Sequence, residues 1–156
     1  QGFDVHKFKK GKELVILGVK IPFNKSLKGH SDADVGFHAI VDAILGALSK
    51  GDIGEHFPPS EIEWKNKPSI LFMTYAKELL IKENFKINNI DVTVICEKPK
   101  IGQYKSSMLK SIGKALNLKV EHINIKATTT EKLGFLGREE GIACQASVTI
   151  SKINDS

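Results

Sequence analysis

The chain has a single arginine, Arg138, beside 22 lysines, and only two cysteines, one tryptophan and five prolines in 156 residues. Each scarcity excludes something. The lysines are scattered, with no Arg-rich or aromatic-interleaved cluster, so the net charge of +5 marks a solvated surface rather than a nucleic-acid partner. Cys96 and Cys144 lie far apart in apolar, strand-like runs, with no C-x-x-C pair. They read as buried free thiols of a reducing compartment, without a disulfide framework. No run approaches the roughly 18 to 20 apolar residues of a membrane helix, so no membrane partner is expected. The glycine spacings of Walker and dinucleotide loops are also missing.

What remains is an ordinary globular composition, 41% hydrophobic and 26% charged. The length suits one domain, residues 1–156, with a sizeable core. Position 1 is Gln rather than Met, which suggests a trimmed chain with any targeting peptide out of view.

Leu14 to Ile21 reads as a short strand interrupted by Gly18 and ended by Pro22. Val35 to Leu48 is apolar nearly all round, apart from His38 and Asp42, which predicts a buried helix with Gly51 as its C-terminal cap. Glu55 to Pro68 is polar and loop-like. Ser69 is placed to cap a helix running to about Glu83. Strands follow at 87–97, 122–128 and 141–153, with an amphipathic helix at 105–116 between the first two. Alternating strands and helices predict an α+β two-layer sandwich: a mixed four-stranded sheet with helices on one face. A chain this size has no helices left for the other face, so packing against copies of itself is expected.

Two segments look like halves of one metal site. In Asp4-Val5-His6, an extended backbone points both polar side chains to one face. His30-Ser31-Asp32-Ala33-Asp34-Val35-Gly36-Phe37-His38 then enters the predicted helix. One carboxylate and two imidazoles form a usual ligand set for Zn²⁺ with an open fourth position. Asp34 and Asp42 lie one helical turn from His38 on either side, which makes one of them the expected partner of its ring. Farther on, Lys126-Ala127-Thr128-Thr129-Thr130-Glu131-Lys132 leaves a strand with three hydroxyls, a carboxylate and a lysine, suited to phosphate oxygens and Mg²⁺ or to a capped turn. Gly134, Gly137 and Gly141 then frame Phe135, Arg138, Glu139 and Glu140. Arg138 can pair locally with Glu140 or hold an anion.

Together with Gly51-Asp52-Ile53-Gly54 and Phe57-Pro58, these segments resemble the 2-C-methyl-D-erythritol 2,4-cyclodiphosphate synthase family, in order and spacing, over essentially the whole chain. The resemblance implies a reaction. The 2-phosphate of 4-diphosphocytidyl-2-C-methyl-D-erythritol 2-phosphate attacks the β-phosphorus of its own diphosphate, and CMP leaves. It implies Zn²⁺ on Asp4, His6 and His38, acting as Lewis acid and template, and Mg²⁺ or Mn²⁺ on Glu131 with the diphosphate. His30 and Thr129 become the catalytic candidates, with Ser31 also at the phosphates. Asp52 and Gly54 would touch the ribose and methylerythritol. Pro99, Lys100, Ile101, Ala127, Thr128 and Thr129 would form the cytidine pocket.

The resemblance also implies a homotrimer with active sites between subunits. Its central cavity would take an isoprenoid diphosphate near Phe135, Arg138 and Glu140. One stretch departs from the family: Pro59-Ser60-Glu61-Ile62 stands where Asp-Thr-Asp-Pro usually follows Phe57-Pro58. A zinc or two-metal phosphohydrolase, which would use the same ligands to activate water, is the alternative. The abundance of Lys, Asn and Ile, with the missing N-terminus, favours an apicoplast-type plastid stroma over a bacterial cytoplasm.

Overall fold

The computed structural model describes residues 1–29 and 31–153. Strand β1 (Gly2–Lys10) is followed by a hairpin, β2 (Glu13–Ile16) and β3 (Val19–Pro22), and by the short β4 (Lys25–Leu27). Helix α1 (Val35–Ala47), one-turn α2 (Ile53–His56) and α3 (Ser69–Lys82) precede β5 (Phe85–Ile95). Then come α4 (Lys105–Leu116), β6 (Ile123–Thr128), one-turn α5 (Gly134–Gly137) and β7 (Gly141–Lys152).

The main sheet runs β4-β1-β7-β5-β6, five strands against the four expected. The strands read at 87–97, 122–128 and 141–153 are β5, β6 and β7. β1 and three-residue β4 join them, and the strand read at 14–21 lies outside, in the separate β2–β3 sheet. Only β5 and β6 pair in parallel; the other neighbours are antiparallel. Side chains alternate across each strand. Ile90, Val92 and Val94 of β5 and Ile142, Cys144 and Ala146 of β7 are buried toward the helices. They join Ile40, Ile44, Met73, Met108 and Ile112 in one core. No helix among the described residues is long and apolar enough to cross a membrane.

The other sheet face is open in the single chain. Phe3 and Val5 of β1 stand 57% and 40% exposed there, in register with Gln145 and Ala143 of β7.

The interrupted strand at 14–21 is a hairpin. Leu17 and Gly18, both with positive φ (51° and 76°), make the two-residue reversal. Such a turn matches the twist of the strands it joins. The helix stop also differs from expectation. Ser49, at φ 56°, occupies the left-handed position after α1; its N–H donates to the Gly46 carbonyl and that of Lys50 to Leu45. This is a Schellman closure without glycine, so Gly51 is not the cap.

Candidate functional site

Asp34 fixes where α1 begins. It is fully buried, and its carboxylate accepts from Gly36 and Phe37 at the helix start (3.1 and 3.0 Å). The same carboxylate accepts from Leu17 and Gly18 in the hairpin turn (2.8 and 2.7 Å). Burial pushes its carboxyl up to about 6 against the pull of these amides, so it is ionised at neutral pH. His38 follows one turn into α1. On the strand side, a Cβ on Gly2 would overlap the Ala39 carbonyl oxygen, so glycine is what allows β1 to lie against α1. Asp4 and His6 point toward the helices, in register with Cys144 and Ile142.

These placements converge. Asp4 Oδ2 lies 3.0 Å from His6 Nε2 and 3.2 Å from His38 Nδ1, and the two nitrogens are 3.2 Å apart. An ion bound tetrahedrally at about 2.0–2.1 Å spaces its ligand atoms about 3.3–3.4 Å apart. With both rings donating to Asp4, two N–H groups would crowd each other; a central cation instead uses three lone pairs. The donor set therefore fits a metal ion.

Burial alone would raise the Asp4 carboxyl, but the two imidazoles beside it, His38 and His6, hold it well below the usual carboxylate range. Burial lowers His6, yet the hydrogen bond and charge of Asp4, with the Lys28 backbone, raise it above its ordinary value.

The candidate metal triad opens on a cleft lined by His6, His38, Gly54, Phe57, Pro59, Trp64, Lys65 and Phe72. Pro59, from the stretch that departs from the family pattern, forms part of this wall, beside Phe57 and Trp64 packed edge to face. Asp52 caps α2 through the Glu55 N–H at 3.0 Å. Ser31 is exposed with a left-handed backbone (φ 57°), while the His30 expectation lies outside the described residues.

A second hollow forms where β5 and β6 end side by side. Pro99, Lys100, Ile101, Ala127, Thr128 and Thr129, all six residues expected around cytidine, line it with Cys96 and Gly102. Parallel pairing causes this, because it brings two C-terminal strand ends and the loops beyond them together. Pro99 follows a cis peptide bond.

Among the three threonines, Thr128 Oγ1 donates to the Thr129 carbonyl and Thr130 Oγ1 to that of Leu133. Thr129 Oγ1 instead accepts from the Glu131 N–H at 3.2 Å, which leaves its proton for an outside acceptor. Glu131 is exposed, with φ 52°. Lys132, also left-handed at 65°, is held by the Glu97 carboxylate, which accepts its N–H at 2.6 Å. Arg138 donates to Glu140 at 2.9 Å, the local pair anticipated from sequence; Phe135 stands 46% exposed.

The expected ring partners of His38 are corrected. The Asp34 carboxylate is taken by four amides, and Asp42 accepts from the Ile53 N–H at 2.9 Å. Neither carboxylate serves the ring. His38 Nε2 meets Ser69 Oγ at 2.9 Å, and that hydroxyl bonds Asp32. Sequence reasoning missed this pair because Ser69 looked like a helix cap. In the fold, Pro68 holds the cap position without a side-chain bond, and Ser69 is the first helical residue.

A family model described as the YgbB family matches residues 1–151. The chain belongs to the YgbB family. Its relatives include the bifunctional enzyme IspD/IspF of Bartonella quintana, 52% identical over 149 residues, 96% of this chain and 38% of that one. This YgbB chain thus spans under two fifths of the length of that curated relative. Among solved structures, it superposes on IspF of Plasmodium falciparum in complex with CDP, with TM-score 0.86 and 39% identity over 98% of this chain and 94% of that one. The 2C-methyl-D-erythritol 2,4-cyclodiphosphate synthase of Plasmodium vivax gives TM-score 0.83 and 32% identity, over 98% and 96%. The resemblance seen in the motifs is therefore borne out, and so is the α+β fold.

The plastid reading is overturned. Curated relatives of this YgbB chain at 50–52% identity are bacterial IspD/IspF enzymes. Abundant Lys, Asn and Ile follow the base composition of a genome and carry no information on compartment.

Proposed function

We propose that the chain, as one catalytic domain over residues 1–156, converts 4-diphosphocytidyl-2-C-methyl-D-erythritol 2-phosphate to the cyclic 2,4-diphosphate and CMP. The observation that carries this is the pairing, in one chain, of a three-ligand metal cluster on a cleft with a separate hollow lined by all six residues expected for cytidine. The CDP bound to the Plasmodium falciparum relative supports the nucleotide half.

The nucleophile is part of the substrate, so no covalent intermediate with the protein is needed, and positioning carries much of the rate. When bound, Zn²⁺ on Asp4, His6 and His38 would polarise the phosphate under attack, and Mg²⁺ or Mn²⁺ at Glu131 would offset charge on the diphosphate. His30 and Ser31 hold phosphate oxygens. Thr129 donates its free hydroxyl proton to the diphosphate, and Lys100 adds positive charge at the same hollow. Asp52 and Gly54 bind ribose and methylerythritol at the cleft mouth. Phe57, Trp64 and Phe72 keep water from the reacting phosphate, which favours ring closure over hydrolysis.

The two hollows lie toward opposite edges of the sheet, with β7 between β1 and β5. One substrate reaching both would be served by neighbouring subunits, and the open sheet face offers the surface for a homotrimer. An isoprenoid diphosphate in its central cavity would set its charge on Arg138 and its tail along Phe135.

Incubation with the substrate, with and without a chelator, tests the activity. CMP and cyclic diphosphate should appear together and stop together on chelation. Release of a linear phosphate instead would identify a hydrolase. A thermal shift of the oligomer with added isoprenoid diphosphate tests the cavity ligand; an unchanged melting temperature would remove it.

A further inference from the structure

We infer that Ser69 and Asp32 act as a positioning pair that sets the His38 tautomer and so presents its Nδ1 lone pair to the metal. This rests on the metal reading of the triad and adds two residues outside it.

The direction of each proton follows from the chemistry of the atoms. Asp32 as a carboxylate can only accept. Ser69 Oγ lies at hydrogen-bond distance from Asp32 Oδ1, and the Ser69 N–H also reaches the carboxylate, at 3.3 Å to Oδ1 and 3.2 Å to Oδ2. The single hydroxyl proton of Ser69 therefore goes to Asp32. That leaves its oxygen as an acceptor toward His38 Nε2, 2.9 Å away. A neutral ring that donates from Nε2 has its lone pair on Nδ1, and Nδ1 is the atom that faces Asp4 and His6.

The pair is also built to stay in place. Ser69 is 1% exposed, one of two buried polar residues among the described part of the chain. Asp32 sits at the amino end of α3, where unpaired amides and the helix dipole favour negative charge. Phe72, one turn along α3, lies with its ring centroid 5.7 Å from that of His38 and closes the other side. Without Asp32, the Ser69 hydroxyl is free to turn and donate to Nε2. The ring proton then moves to Nδ1 and blocks the metal position.

Zinc affinity, measured by competition with a chromophoric chelator, and the tautomer, read from imidazole ¹⁵N shifts, test the pair. The metal-free parent should carry its His38 proton on Nε2. Ser69→Ala should bind zinc about 10–100-fold more weakly, the usual effect of losing a partner behind a metal-bound histidine. Ser69→Thr, which keeps the hydroxyl, should stay within about threefold of the parent on the same scale. Asp32→Ala should shift the His38 proton to Nδ1. A parent tautomer on Nδ1, or parent-like zinc affinity in Ser69→Ala, overturns the inference; the first outcome needs no variant to fold. A parent that binds no zinc overturns the metal reading as well, which separates the two failures.

Discussion

Asp34 and Cys96 show how burial sets the chemistry of single residues here. The buried Asp34 carboxylate joins the hairpin turn to the start of α1 through four amides. Asp34→Ala should cost about 2–4 kcal/mol in urea unfolding, a lost cap plus an orphaned, buried Leu17 amide. A cost under about 0.5 kcal/mol, typical of surface changes, would show that this linkage is not needed. Cys96 is held protonated by burial, which pushes its thiol up to about 11. The thiolate is the reactive form, so alkylation by iodoacetamide should be very slow at pH 7.5. The rate should climb about tenfold per pH unit toward pH 11. Because Cys96 lines the hollow proposed for the nucleotide, added CDP should slow labelling further. Rapid labelling at pH 7.5 would mean that the loop opens in solution.

Elements carry the site only as closely as they pack. Gly2 lets β1 approach α1, which brings Asp4 and His6 to His38. Gly2→Val should destabilise the chain by roughly 1–3 kcal/mol or more and weaken zinc binding with it. Gly102→Ala is the control, since an added Cβ there meets nothing within 4 Å. Equal zinc affinity in the two variants would show that strand–helix distance does not tune the site. Long periodic elements were legible: α1 from its all-round apolar surface, α4 and β5–β7 from their periods. The β2–β3 hairpin was not, because its reversal uses Leu17 in a left-handed conformation instead of an Asn-Gly or Asp-Gly pair. Three-residue β4 and the one-turn α2 and α5 are too short to show a period. The clustering of Asp4, His6 and His38 was legible because strand spacing and helix onset fix their directions. Their support was not, since Ser69 reaches His38 across 31 positions of chain, and spacing along one helix pointed to Asp34 and Asp42.

At the scale of the whole molecule, the separation of the triad's cleft from the hollow proposed for the nucleotide makes assembly testable. Chains carrying His6→Ala should be inactive, as should chains carrying Lys100→Ala with Thr129→Ala. If sites form between subunits of a trimer, unfolding and refolding the two together should restore about a quarter of parental activity, one half times one half, because one intact half must come from each kind. No recovery, with mixed oligomers demonstrated, would place each site within one chain.

The sheet order has another consequence. Asp4 and His6 ride on the first strand, yet β1 finds its long main-chain partner in β7, so that His6 is paired with Ile142 almost the whole chain away. During synthesis all three residues of the triad emerge before β7, the strand that holds Asp4 and His6 in register. Such distant pairing is slow to form. If the triad holds zinc as proposed, its uptake should wait for β7: a nascent chain stalled before Gly141 should retain no zinc, and zinc retained by such a chain would show that β7 is not required.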